Sequence, residues 1–225
     1  MIQRTLLFAP LFLLLPNVSF AQFSIGASAG ANLSFWQWTV QTPDISVDLD
    51  YQSRLSGRAA VHVEYAFSPV LSLRADVANQ VVRNKFTHLT DANGADITNI
   101  NLTNNYNSVG GSLLVKVSPV GKVRNVYFLA GPTVACITNG WRRVHGEPIE
   151  GVVLGKRTID LDAEKIRRVQ WMGDLGVGYG YPLGAKGRLI AEMRYQIGLS
   201  NFSTSSVTDA RVQSAMLLLG YFYQL

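Results

Sequence analysis

Along most of this chain apolar and polar side chains alternate one by one. The last nine residues, 217–225, show the pattern most plainly, with Leu217, Leu219, Tyr221, Tyr223 and Leu225 at every second position. A helix cannot gather those five on one face, whereas a strand places alternate side chains on opposite faces. The same alternation predicts eight strands, near 23–34, 54–67, 70–86, 105–119, 125–137, 168–182, 186–202 and 210–225. In the first, Phe23, Ile25, Ala27, Ala29, Ala31 and Leu33 oppose Ser24, Gly26, Ser28, Gly30, Asn32 and Ser34. In the seventh, Leu189, Ala191, Met193, Tyr195, Ile197 and Leu199 oppose Arg188, Ile190, Glu192, Arg194 and Gln196. Odd positions are apolar in the first, second, third, seventh and eighth segments alike.

The connections alternate as well. Residues 68–69, 120–124 and 183–185 make short turns, while 36–53, 87–104 and 138–167 are long, and 203–209 is an intermediate loop. Short turns at one end and long loops at the other are the asymmetry of an outer-membrane β-barrel, with an even strand number and the turns in the periplasm. The fold expected is therefore all-β: an eight-stranded antiparallel up-and-down transmembrane barrel with both termini periplasmic. A soluble barrel would show the same alternation with its apolar face inside. Aromatics at the strand ends favour the inverted assignment. Phe23, Tyr65, Phe67, Tyr179, Tyr181, Tyr221 and Tyr223 fall on the turn side; Trp36, Trp38, Phe86, Trp171 and Phe202 are expected as a second girdle on the loop side.

Composition strengthens this reading. Mean hydropathy is +0.13, and charged residues make up 16% against a usual value of about 25%, yet no segment after the N-terminus is an apolar run of helical-span length. Residues 1–21 read as a secretory signal peptide, with Arg4, an apolar core and Ser19-Phe20-Ala21 before the cleavage point. The barrel domain is then 22–225. The single Cys136 forms no internal disulfide, and a net charge of +5 without a basic block suits anionic lipid rather than nucleic acid.

Several motifs carry a family resemblance: Gly26-Ala-Ser-Ala-Gly-Ala-Asn-Leu-Ser34, Glu64-Tyr65, Leu71-Ser-Leu73, Tyr127-Phe-Leu-Ala-Gly-Pro132, the run 173–180, and Glu192-Met-Arg-Tyr195. In this order they resemble the PorT-like outer-membrane β-barrel family. Asp76 stands where many members carry Glu, and 138–167 has no recognisable counterpart. The resemblance implies an eight-stranded outer-membrane barrel with no shared catalytic residues and no cofactor. Some relatives serve protein-secretion machinery. The partners expected are outer-membrane lipid and lipopolysaccharide, the barrel-assembly machinery and, in such a role, secretion proteins.

Two constellations stand out. Alternation points Arg58, Arg74, Lys116 and Arg194 inward with Glu64, Asp76, Asp174 and Glu192, and His62 beside them. An eight-stranded barrel has room only for its own side chains, and buried charge demands a partner. The set reads as an ion-paired plug, or alternatively as a polar path of a small porin. The second constellation is the loop with Trp141, Arg142, Arg143, Lys156 and Arg157, where Arg beside Trp suits a sugar or a lipopolysaccharide phosphate. That loop reads as a binding surface; the alternative, in which 152–154 and 157–161 extend the flanking strands as an outer hairpin, does not exclude binding. His62, His88 and His145 have neither metal-ligand spacing nor a Gly-x-Ser-x-Gly elbow, so neither an enzyme nor a metal site is expected.

Overall fold

The computed structural model describes residues 22–42, 45–48, 52–86, 101–119, 125–145, 154–205 and 208–225. The expected signal peptide, His88, the turn 120–124 and the stretch 146–153 lie outside the described residues. Among the described residues there are ten strands: β1 (Gln22–Thr42), β2 (Ile45–Asp48), β3 (Gln52–Ala66), β4 (Leu71–Phe86), β5 (Asn101–Val117), β6 (Val126–His145), β7 (Gly155–Thr158), β8 (Val169–Leu183), β9 (Gly187–Gly198) and β10 (Thr208–Gln224). Eight of them pair antiparallel in the order β1-β3-β4-β5-β6-β8-β9-β10, and β10 returns to β1, closing the barrel. β2 and β7 are short additions to the loop-side ends of β1 and β6.

The eight predicted segments are these eight barrel strands. The structure extends several of them on the loop side, so that β1 runs eight residues beyond Ser34, to Thr42, and β6 runs on to His145, whereas β9 ends at Gly198, short of the predicted 202. β1 has 21 residues, about twice the 9–11 that cross a bilayer. The barrel wall therefore projects well past the apolar band.

The apolar face is outside. Leu55, Val61, Val77, Leu113, Phe128, Leu175, Met193, Leu217 and Leu219 are exposed, while Arg74, Asp76, Glu192 and Arg194 are buried. Such an inversion leaves a large apolar surface that only lipid can cover. Phe23, Phe67, Tyr179, Tyr181, Tyr221 and Tyr223 project outward at the turn end as expected. The second girdle is only partly as expected. Trp171 is 54% exposed, but Trp36 and Phe202 are 7% and 3% exposed and point into the bore. Trp36 is even-numbered, and the even face of β1 is the inner one, so its parity outweighs its position near the strand end; Phe202 lies beyond the end of β9 at Gly198, in the connection to β10, where it packs on Trp36. The side chains of Trp38 and Phe86 lie outside the described residues.

Glycine makes space where the bore is tightest. A Cβ on Gly178 would lie 2.3 Å from the Tyr127 ring, and one on Gly30 would lie 1.9 Å from the Leu217 carbonyl oxygen. Gly178→Val should therefore displace the Tyr127 ring and lower stability by about 1–3 kcal/mol, the usual cost of overpacking; urea unfolding in detergent micelles measures it.

Candidate functional site

The centre of the bore is bridged by four charges on two strands. β4 and β9 stand four strands apart in either direction round the closed sheet, so they face each other across the lumen. Alternation sends Arg74 and Asp76 inward from β4, and Glu192 and Arg194 inward from β9. Arg74 donates from Nε to Asp76 Oδ1 at 2.7 Å and from Nη1 to Glu192 Oε1 at 2.5 Å. Arg194 donates from Nη1 to Asp76 Oδ2 at 2.8 Å, and from Nε and Nη2 to Glu192 Oε2 at 2.9 and 2.7 Å. Signs alternate round this ring, and each carboxylate is held by both guanidiniums. Tyr127 donates its hydroxyl to Glu192 Oε1 at 2.6 Å.

His62 joins the ring from β3. Its Nδ1 lies 2.7 Å from Asp76 Oδ1 and its Nε2 lies 2.8 Å from Ser28 Oγ. Serine, histidine and aspartate stand here in the sequence of a hydrolytic triad, within a crowded and buried setting. Arg74 Nη2 approaches both ring nitrogens, at 2.9 and 3.1 Å. The Phe222 ring stacks on the imidazole at 5.4 Å. Ser28 is itself buried.

Below the ring, toward the turns, Lys116 donates to both oxygens of Glu64, at 2.6 and 2.9 Å, and its Nζ lies 4.6 Å from the Tyr127 ring centroid. Arg188 adds a second cation 3.6 Å from Glu64. These groups meet a vestibule of about 280 Å³ bordered by Ser24, Ser72 and Gln224. Above the ring, Arg58 donates to Gln80 Oε1 at 2.7 Å, and Asp174 stands 4.0 Å from Arg194. Asp174, Gln196 and part of the Arg58 guanidinium have buried polar atoms without a direct hydrogen bond to the protein, which ordered water ordinarily satisfies. All nine inward residues singled out in the sequence thus lie in one column of the bore. Tyr127, Arg188, Gln80 and Ser28 belong to it too. Parity marks Ser28, Gln80 and Arg188 as inward; attention to charge alone passes over the two neutral ones.

A second closure sits at the loop end. Ile159, Leu161 and Ile166 fold back over the mouth and pack with Trp36, Tyr106, Ile137, Phe202 and Ala210 into one buried apolar cluster. The Trp36 and Phe202 ring centroids are 4.7 Å apart, edge to face. Main-chain bonds from Ile159 to Gly140, and from Arg167 to Phe202, anchor this cap. An exposed ion pair, Arg168 to Asp162 at 2.7 Å, braces its rim. The hydrogen bond from Arg168 holds the Asp162 carboxyl below the usual carboxylate range, so the pair persists at neutral pH and is lost only as pH falls through that lowered value.

The five candidate binding residues do not form one free loop. Trp141, Arg142 and Arg143 continue β6, and Lys156 and Arg157 lie in β7, paired back against them. A hairpin is present, but not with the expected strands: it joins the end of β6 to Gly155–Thr158, so that of 157–161 only Arg157 and Thr158 take part and Ile159 and Leu161 belong to the cap, while 152–153 lie outside the described residues. Its side chains divide between two faces. Arg142 is bonded to Asn104 at 2.6 Å and to Glu164 at 2.7 Å. Trp141, Arg143 and Lys156 share the opposite face, with Arg143 and Lys156 at 5.8 and 4.6 Å from the indole.

The model of the outer membrane protein beta-barrel domain matches residues 20–204. The chain belongs to this family of outer-membrane β-barrels. Several solved barrels are similar in fold. Neisserial surface protein A has 13% identity over 90% of this chain and 97% of its own, with a TM-score of 0.45. OprG from Pseudomonas aeruginosa has 10% identity over 91% and 96%, with a TM-score of 0.46. A major outer membrane protein from Thermus thermophilus has 16% identity over 91% and 99%, with a TM-score of 0.48. No curated protein sequence matches the chain.

The ring is sensitive to the loss of any one of its buried charges. Arg74→Met leaves Asp76 and Glu192 each short of one counter-charge in a water-poor bore. It should cost about 3–5 kcal/mol, as removal of one partner from a buried ion pair does. The shift in the urea unfolding midpoint, for protein refolded into lipid vesicles, reads that loss.

Proposed function

We propose that this chain is a non-conducting outer-membrane barrel that works through its outer surface, in a structural, binding or secretion-associated role, and that it stands with the PorT-like members of its family. The observation that carries this reading is the double closure of the bore. A charge ring crosses the middle and an apolar cap covers the loop end, and the two depend on different interactions. A small solute would have to break both to pass. The same closure argues against a catalytic role, since the Ser28–His62–Asp76 row is enclosed within the bore.

In this reading the short turns and both termini face the periplasm, and the long loops with the β6–β7 hairpin face the exterior. The partners are outer-membrane lipid and lipopolysaccharide, with barrel-assembly machinery acting during insertion and secretion-machinery proteins as candidates thereafter.

In planar lipid bilayers, insertions of the purified barrel should be electrically silent. Regular stepwise openings from the wild-type protein would restore the alternative, a small porin for ions or polar solutes. An epitope placed within 146–153 should be reached by antibody on intact cells, whereas one added after Leu225 should be reached only after the outer membrane is permeabilised.

A further inference from the structure

One feature of the outer wall is unrelated to the bore. Reading across the sheet on its outward face, successive rows change character with height. Asn79, Val109, Cys136 and Val169 form a row at the upper part of the apolar band. Two rows higher, Arg83, Asn105, Trp141 and Thr158 lie side by side on β4, β5, β6 and β7. The row above that is Lys85, Thr103, Arg143 and Lys156. Each step between rows is two residues, about 7 Å along the strand. The cationic rows therefore stand at headgroup height rather than in free solvent.

A bulge puts half of this patch there. In β6 the odd residues Tyr127, Leu129, Thr133, Ala135 and Ile137 face inward. Asn107 pairs with Asn139 and Ser108 with Ile137, so Thr138 is an extra residue in β6. Such a bulge reverses the alternation beyond it. Gly140 and Val144 then face inward, while Trp141 and Arg143 turn outward.

The patch is electrostatically one-sided. Arg143 and Lys156 sit directly opposite each other on paired strands, a position where like charges repel. Both also lean on the same indole. Lys85, Arg143 and Lys156 have no carboxylate partner among the described residues, and no described residue of the two rows is acidic. Arg83 is steadied by Asn105 at 2.5 Å. An anion placed against Arg143 and Lys156 would relieve their repulsion, and its bearer would continue downward onto Trp141 and the apolar wall. A charged head above an acyl body has that shape.

We propose that this lateral face, centred on Arg143 and Lys156 with Lys85, Arg83 and Trp141, is a binding site for the phosphate of an outer-leaflet glycolipid. The site rests on the orientation put forward under Proposed function, which sets this end of the barrel at the outer leaflet. Arg142 and Arg157 share the other face of the hairpin and take no part in it.

The test titrates the purified barrel in detergent with lipid A, with dephosphorylated lipid A and with phosphatidylglycerol, and reads retained lipid by native mass spectrometry. Wild type should hold lipid A about ten-fold or more tightly than R143Q/K156Q, as expected for two surface cations. R157Q should match wild type, and dephosphorylated lipid A should not distinguish the proteins. All variants should keep the heat-dependent gel mobility of a folded barrel. Equal retention of lipid A by wild type and R143Q/K156Q overturns the site and leaves the silent barrel standing. Tighter binding of phosphatidylglycerol than of lipid A overturns the orientation on which the site rests. Displacement of lipid A by inorganic phosphate at similar concentration overturns the lipid as ligand.

Discussion

Everything inside this barrel answers to one constraint: ionised groups are enclosed where little water can reach them. The alternating ring of Arg74, Asp76, Arg194 and Glu192 meets it by giving each charge two opposite neighbours. The geometry depends on two short motifs written in opposite order, Arg-x-Asp on β4 and Glu-x-Arg on β9. Because both strands rise from the turn end, Arg74 meets Glu192 at one level and Asp76 meets Arg194 at the next. Neighbouring aromatic rings fill the space that remains. Phe222 lies against His62 and Arg74, and Tyr127 lies under Lys116 while bonding Glu192. The glycines of β8 are the counterpart of those rings, as Gly178 facing Tyr127 illustrates.

The two closures of the bore have different physical origins. The ring is polar and holds opposite walls of the cylinder together. The cap is apolar and resembles the core of a small soluble protein, formed where the strands have outrun the bilayer. Ile159, Leu161 and Ile166 bury themselves there because the extended wall offers Trp36, Tyr106 and Phe202 on its inner side. The outside of the same extension carries Trp141 and the cationic rows. Above the apolar band the wall thus returns to the ordinary arrangement, apolar within and polar without.

Much of this was legible in the sequence. Period-two alternation located all eight barrel strands, and the alternation of short and long connections ordered them. Parity also brought the charged residues of the lumen onto one face. Position along the strand misled where it competed with parity: Trp36 looks like a girdle residue by height, yet its even number puts it inside, while Phe202 turns inward because the strand expected to carry it ends at Gly198. The bulge at Thr138 was not legible, because a single inserted residue leaves no compositional trace. Without it, the faces of Trp141, Arg142 and Arg143 cannot be assigned. The cap was hidden for another reason. Ile159 and Leu161 share a strand spacing but Ile166 follows five residues later, and all three meet their partners through a folded-back loop rather than a regular element.

The position of the ring on β4 and β9 has a consequence for assembly. Its two halves are 118 residues apart in the chain and stand on opposite sides of the cylinder. No hairpin, and no open sheet of a few strands, can bring them together. Until β10 meets β1, the four charges remain hydrated and contribute nothing to cohesion. At that moment they lose water and gain one another in a single event. The ring is thus a lock that engages only when the last seam is in register, since a slip of one residue on either half would send the pair into lipid.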